Sequence, residues 1–308
     1  MVDTMKDPQS GLRLTRRKFS KACLAMISTA GFAAQTIAAE ARTDTLMIDT
    51  HAHVFHRGLK LADSRRYAPA YDAPLELYLQ QLDHNGMTHG VLVQPSFLGT
   101  DNSYLVDSIK AANGRLRGIA VVDPAISADE LSTLDKAGVV GIRLNLVGKP
   151  LPDLRAAEWA ALLAEVRRLN WQVEIQRNAG DLAVLVPALL DNGVQVVLDH
   201  FALPDPKLGV SDPGFAAVLK LAASKALWIK MSGAYRNGPE GEAFARQAYP
   251  MLRQSFGPNR LLWGSDWPHT QFESSQTYAR SRAFLDELVP DEAERAEILA
   301  SPRALFRF

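Results

Sequence analysis

The chain has 308 residues, 47% of them apolar, and 34 Lys plus Arg balance 34 Asp plus Glu. A net charge of zero argues against a dedicated nucleic-acid binder, which carries a basic excess to meet phosphates. Charged residues at 22% suit a packed globular chain, and the single cysteine, Cys23, excludes disulfide frameworks, cysteine zinc clusters and iron–sulfur sites.

In chain order, the first segment reads as an address. Thr15-Arg16-Arg17-Lys18-Phe19 is a twin-arginine pattern, and the Ala-rich run Ala22 to Ala39 that follows is too weakly apolar for a membrane span. Small residues then give an Ala-x-Ala exit at Ala39 to Ala41. Together these predict a Tat export signal over residues 1–41, recognised by the Tat machinery. The processed protein would be periplasmic, without a stable membrane anchor and without Cys23.

From residue 42 onward, short apolar runs predict eight strands. They are Leu46–Asp49, Gly90–Gln94, Gly118–Val122, Gly141–Leu146, Trp171–Gln176, Val194–Asp199, Leu227–Met231 and Leu261–Gly264. Helical periodicity falls between them, at Pro74–Asn85, Ser127–Ala137, Ala156–Leu169, Leu182–Asn192, Phe215–Ser224 and Gly241–Phe256. Strand and helix in alternation imply parallel pairing through crossover helices, hence one (β/α)8 TIM barrel over residues 42–308. Two more helices, Ser275–Leu288 and Asp291–Ala300, are expected to close it against the first strand. No Gly-x-Gly-x-x-Gly follows that strand, so a dinucleotide site has no support.

Strand parity says which side chains enter the barrel. Arg143 and Asn145 point inward from the fourth strand, Gln172, Glu174 and Gln176 from the fifth, and Trp228, Lys230 and Ser232 from the seventh. Those at C-terminal strand ends, Arg143, Asn145, Gln176 and Ser232, lie where barrel enzymes build their sites. The same ends carry His51 and His53 after the first strand, His200 after the sixth and Asp266 after the eighth. An H-x-H pair presents two imidazoles on one face, suited to a metal or a carbonyl oxygen. His56, His84 and His89 have no such placement and read as loop or helix residues.

The H-x-H pair, Leu198-Asp199-His200 and Trp263-Gly264-Ser265-Asp266-Trp267-Pro268-His269 resemble the amidohydrolase superfamily, and within it the branch of 2-pyrone-4,6-dicarboxylate lactonases. Gln94-Pro95-Ser96, Gly99-Thr100-Asp101-Asn102 and Gly141-Ile142-Arg143-Leu144-Asn145 extend the likeness along the chain. The resemblance implies that Asp266 is the general base on water, while His51, His53 and His200 bind and polarise a lactone carbonyl. Arg143 and Arg236 would hold substrate carboxylates, with Tyr67, Ser96, Gln176 and His269 as further substrate-binding candidates. Departures point to a changed substrate: Gln176 replaces a tyrosine, Leu98 a histidine, Ala202-Leu203 a Gly-Arg, and Lys149 alone represents a basic pair.

The binuclear members of the superfamily have a strand-four lysine and a strand-five histidine, and neither is present here. His51, His53, His200 and Asp266 could still hold one Zn²⁺. The resemblance to metal-free lactonases and the arginines nearby favour no cofactor. The expected partner is a small anionic lactone or ester, the expected state a monomer or homodimer. Two other classes are open: a mononuclear-zinc decarboxylase or amide hydrolase of the superfamily, and a non-catalytic periplasmic binding protein.

Overall fold

A computed structural model of the protein describes residues 46–308; the predicted export signal, Cys23 and the boundary at residue 41 lie outside the described residues. Eight parallel strands run in sequence order: β1 Ile48–Ala52, β2 His89–Val93, β3 Leu116–Ala120, β4 Val139–Asn145, β5 Gln172–Gln176, β6 Gln195–Leu198, β7 Leu227–Ser232 and β8 Leu261–Gly264. Each is followed by a helix: α1 Leu75–His84, α2 Ser103–Ala111, α3 Ala128–Lys136, α4 Ala157–Arg168, α5 Ala179–Asp191, α6 Pro213–Leu221, α7 Gly241–Phe256 and α8 Tyr278–Leu288. Two short helices, α9 Glu292–Ala300 and α10 Pro302–Phe306, end the chain.

The seam between β8 and β1 is closed by bonds at their C-terminal ends. Asp266 N donates to His51 O and His53 N to Trp267 O, both at 2.8 Å, and Thr50 Oγ1 donates to Trp263 O at 2.8 Å. This is the predicted TIM barrel. The order follows from the sequence pattern, because a parallel neighbour can be reached only through a crossover helix.

Three details differ from expectation. β1 runs to Ala52, so His51 lies inside the strand, where the register against β2 shifts between Asp49 and Ala52. His89 opens β2; it is neither a loop nor a helix residue, and its Nδ1 lies 2.8 Å from Thr88 Oγ1. Helix α2 went unpredicted because its nine residues bury only Leu105, Ser108 and Ile109, too short a stripe to stand out.

Side chains fill the barrel in two layers. Near the N-terminal ends of the strands, Ile48, Val91, Val93, Ile119, Val140, Val197 and Leu262 form an apolar cluster with Leu305 and Phe306 of α10. Above it the inward residues are charged and equally buried: Glu174, Lys230, Asp199, Arg143, His51 and Asp266. The larger apolar core lies outside the strands, beneath the helices, and includes Ile142, Leu144, Val173, Ile175 and Ile229, as parity requires.

Candidate active site

The charged layer opens into a cleft of about 180 Å³ at the C-terminal ends of the strands. His53, Tyr67, Ser96, Arg143, Gln176, His200, Arg236 and Asp266 all line it, drawn from seven different strand–helix connections or strand ends. His51 lies one step below, fully buried, with its ring centroid 4.9 Å from that of His53 and 4.8 Å from that of His200. His269 does not line the cleft; its Nδ1 is 3.0 Å from the Tyr235 hydroxyl.

Local backbone explains how these groups converge. Asp49, buried below the bulge of β1, accepts from Ser265 N at 2.8 Å and Ser265 Oγ at 2.6 Å, which pins the start of the Asp266 loop to β1. Asp266, His269 and the run His200 to Leu203 adopt positive φ, conformations that cost energy in residues with a Cβ and that gather at functional sites. Gly233, at φ +53°, is where glycine is required: a Cβ there would lie 2.7 Å from Asp266 Oδ2.

Asp266 has two unlike oxygens. Oδ2 accepts from the Tyr235 hydroxyl at 2.7 Å and from Arg236 Nε in a tight ion pair. Oδ1 is buried without a hydrogen-bond partner and lies 3.9 Å from both His51 Nε2 and His53 Nε2. Burial alone would raise this carboxyl, but Arg236, His200 and His51 outweigh it and hold it well below the usual range. It is therefore ionised at neutral pH.

The histidines are not equivalent. His53 Nδ1 lies 2.7 Å from Val93 O, and a carbonyl can only accept, so that nitrogen carries the proton. Burial, with Arg143 adding to it, holds His53 down to about 3, so the ring is neutral and its Nε2 is bare. It accepts; the donor role that the resemblance implies for His53 does not fit this tautomer. His200 Nδ1 meets the Ser232 hydroxyl at 2.9 Å, a partner that permits either tautomer. Burial lowers His200 to about 4, against the pull of Asp266 and Asp199.

Both arginines are already engaged. Arg143 donates through Nε to Asp199 Oδ2 at 3.0 Å and through Nη2 to Gln176 Oε1 at 2.9 Å, and Arg236 Nη2 reaches Thr270 O at 3.4 Å. A guanidinium has five N–H groups, so each retains donors for a ligand carboxylate. Arg66, whose Nη2 lies 3.4 Å from Asn145 Oδ1, adds a third guanidinium to the cleft lining. Sequence reasoning missed Arg66, in an irregular segment, and Tyr235, in the four-residue 3₁₀ turn Ala234–Asn237, because neither stretch has a periodicity that marks a direction.

Donor atoms of His51, His53 and Asp266, and of His51, Asp199 and His200, lie within 4.8 Å of one another. The four predicted ligands thus form no single group; His51 is shared by two triplets. In the first triplet Asp266 Oδ1 is buried without a partner and His53 Nε2 is bare, so both are ready metal ligands; His51 Nε2, also without a partner, is a ligand only in the tautomer with its proton on Nδ1.

Comparison with known proteins extends this geometry. The chain is 34% identical to a 2-pyrone-4,6-dicarboxylate hydrolase of Comamonas testosteroni over 82% of this chain and 85% of that protein. It is 30% identical to a 4-sulfomuconolactone hydrolase of Rhizobium radiobacter, over 84% and 89% of the two chains. A crystal structure of a probable 2-pyrone-4,6-dicarboxylic acid hydrolase from Acinetobacter baumannii, with citric acid bound, superposes with a TM-score of 0.83 at 43% identity, covering 85% of this chain and 99% of that one. The amidohydrolase family model matches residues 48–308. The chain belongs to the amidohydrolase family, and it is a hydrolase.

Proposed function

We propose that the protein opens a small, carboxylate-bearing lactone by attack of water activated at Asp266. The observation that carries the reading is Asp266 Oδ1: a buried, ionised, unpartnered oxygen at the floor of a cleft rimmed by Arg66, Arg143 and Arg236. The relatives' lactone substrates, a pyrone dicarboxylate and a sulfomuconolactone, support the same class.

Arg143 and Arg236 take a substrate carboxylate with their remaining donors, each charge-assisted bond contributing roughly 1.5–3 kcal/mol. Tyr67, Ser96 and Gln176 line the same cleft and orient the ring. Water donates to Asp266 Oδ1 with His53 Nε2 as a second acceptor, and His51 and His200 face the carbonyl oxygen, whose negative charge grows during attack. The hold of Arg236 keeps Asp266 ionised but lowers its basicity. A substrate carboxylate that draws on Arg236 loosens that hold, which couples anion binding to water activation.

A second reading is favoured by the partnerless atoms around Asp266 Oδ1. One divalent ion would be held by His51, His53 and Asp266 and would supply Lewis acidity to a carbonyl or water. A screen of metal-stripped protein against lactones bearing zero, one or two carboxylates separates the readings. Turnover that rises with carboxylate number supports the first. Activity that returns only with added Zn²⁺ supports the second, and no lactone turned over in either condition removes both.

We also propose that residues 1–41 direct Tat export to the periplasm. Replacing Arg16 and Arg17 with lysine should leave full-length precursor in the cytoplasm, and unchanged delivery would remove the reading.

A further inference from the structure

Beneath the cleft lies a charged cluster that the reaction as described does not use. Lys230 Nζ, fully buried, lies 2.7 Å from Glu174 Oε1, 3.4 Å from Asp199 Oδ1 and 3.0 Å from His51 Nδ1. With three N–H donors Lys230 can serve both carboxylates and the imidazole, and its 3.0 Å contact to His51 Nδ1 has hydrogen-bond geometry. Asp199 Oδ1 is also 3.4 Å from His51 Nδ1, a longer contact than that of Lys230. With Arg143 on Asp199, two buried cations face two buried carboxylates, so the lysine has the counter-charge that a buried ammonium needs.

We propose that Lys230 is a positioning residue that holds His51 in the tautomer with its proton on Nε2, so that His51 faces the cleft as a hydrogen-bond donor to a carbonyl oxygen. The inference rests on the lactone reading for what that donor serves, but not for the tautomer itself.

The argument is one of donor and acceptor accounting. An ammonium has three donors and no acceptor, so the atom it bonds must offer a lone pair. A neutral imidazole has one lone pair and one N–H, and if Nδ1 accepts, Nε2 carries the proton. An Nδ1 that accepts from Lys230 is itself unprotonated, so the same contact leaves one proton on the ring, at Nε2. His51 and His53 are then mirror cases two residues apart: Val93 O forces the proton onto Nδ1 of one, and Lys230 forces it onto Nε2 of the other. Seen from Asp266 Oδ1, one ring donates and one accepts, which suits one ring to the carbonyl oxygen and the other to water. The same tautomer withholds the His51 Nε2 lone pair from a metal ion and leaves that triplet two ready ligands. Without Lys230, His51 Nδ1 would turn its proton to Asp199 and Nε2 would become a ligand. The ring's proton count is unchanged; only the proton's position differs.

The test is the ring ¹⁵N spectrum of the full-length protein with labelled histidine, His51 being assigned by the signals that vanish in His51→Asn. The expected result is a protonated Nε2 and a bare Nδ1. Lys230→Met combined with Glu174→Gln removes one charge of each sign, so that no carboxylate is left newly unpaired. In that variant the proton should move to Nδ1, and kcat on the lactone should fall about 10²–10³-fold, as for loss of one oxyanion donor, with KM little changed. Zn²⁺ retained after dialysis should rise. A wild-type His51 protonated on Nδ1 overturns the proposal, as does a double variant that keeps both its Nε2 proton and its kcat. If the variant does not fold, the wild-type spectrum alone decides. A protonated Nε2 in a protein that turns over no lactone supports the tautomer assignment and removes the lactone reading.

Discussion

The lower and upper layers of the barrel are built on the same strands and are almost equally dry, yet they do opposite things. On the β6 side, Val197 belongs to the apolar cluster and Asp199, two residues on, to the charged one; on β7, Trp228 borders the lower layer and Lys230 sits in the upper. The lower layer gains free energy simply by leaving water. The upper layer loses it, and recovers the loss only where each charge finds a partner. Reactivity therefore belongs to one end of the barrel only: substitutions in the lower layer should change stability alone, and those in the upper layer both stability and turnover.

The largest effect is expected where a charged partner is removed. Arg236→Ala leaves the Asp266 carboxylate buried with Tyr235 alone, which should cost about 3–5 kcal/mol in chemical denaturation and also lower kcat/KM for anionic lactones. Phe306→Ala opens a cavity under the lower layer and should cost a comparable 3–5 kcal/mol while kcat per folded molecule stays at the wild-type value. A Phe306→Ala protein with normal stability, or with lost turnover, would show that the layers are not separable.

The next effect is pH dependence, centred on the upper layer, where the fully buried histidines lie; at the lower end His89, half-buried against Phe308, is also lowered by burial. Burial lowers His53 to about 3 and His200 and His269 to about 4, so the folded state holds them neutral where the unfolded chain protonates them. Stability should be flat only above about 7, and fall with decreasing pH from the ordinary histidine range near 6.5 to about 4, with part of the loss offset by Glu174, whose carboxyl burial raises to about 7. The slope should be at most roughly 1.4 kcal/mol per pH unit for each histidine. Denaturation midpoints from pH 8 to 4 check this, and His53→Asn should flatten the curve. The smallest effect lies outside both layers: Ser127→Ala removes the N-cap of α3 and should cost about 0.5–2 kcal/mol with no change in kcat.

The division between layers was only partly legible in the sequence. Parity places Arg143, Glu174 and Lys230 inside the barrel, because alternation is a local property of a strand. It does not say that Lys230 meets His51, since those residues lie 179 positions apart and their contact depends on barrel closure. The strand-end histidines and Asp266 are visible as short motifs after apolar runs, and the cleft gathers His53, His200 and Asp266, with His51 just beneath, as the barrel rule requires. Arg66, on an irregular segment, and Tyr235, on a single 3₁₀ turn, leave no periodic trace. The tautomer difference between His51 and His53 is invisible in the motif, where the two residues look alike; it is written in Val93 O and Lys230 Nζ.

The claim that Asp266 is the base that activates water is tested most directly by steady-state kinetics of Asp266→Asn beside His200→Asn on a carboxylate-bearing lactone. Asparagine keeps the shape and removes the basicity. The account predicts that Asp266→Asn binds substrate but loses about 10²–10⁴ in kcat, while His200→Asn loses an amount that shrinks as the lactone becomes more electrophilic. An Asp266→Asn protein that keeps most of its turnover, beside a His200→Asn protein inactive on every lactone, would contradict it.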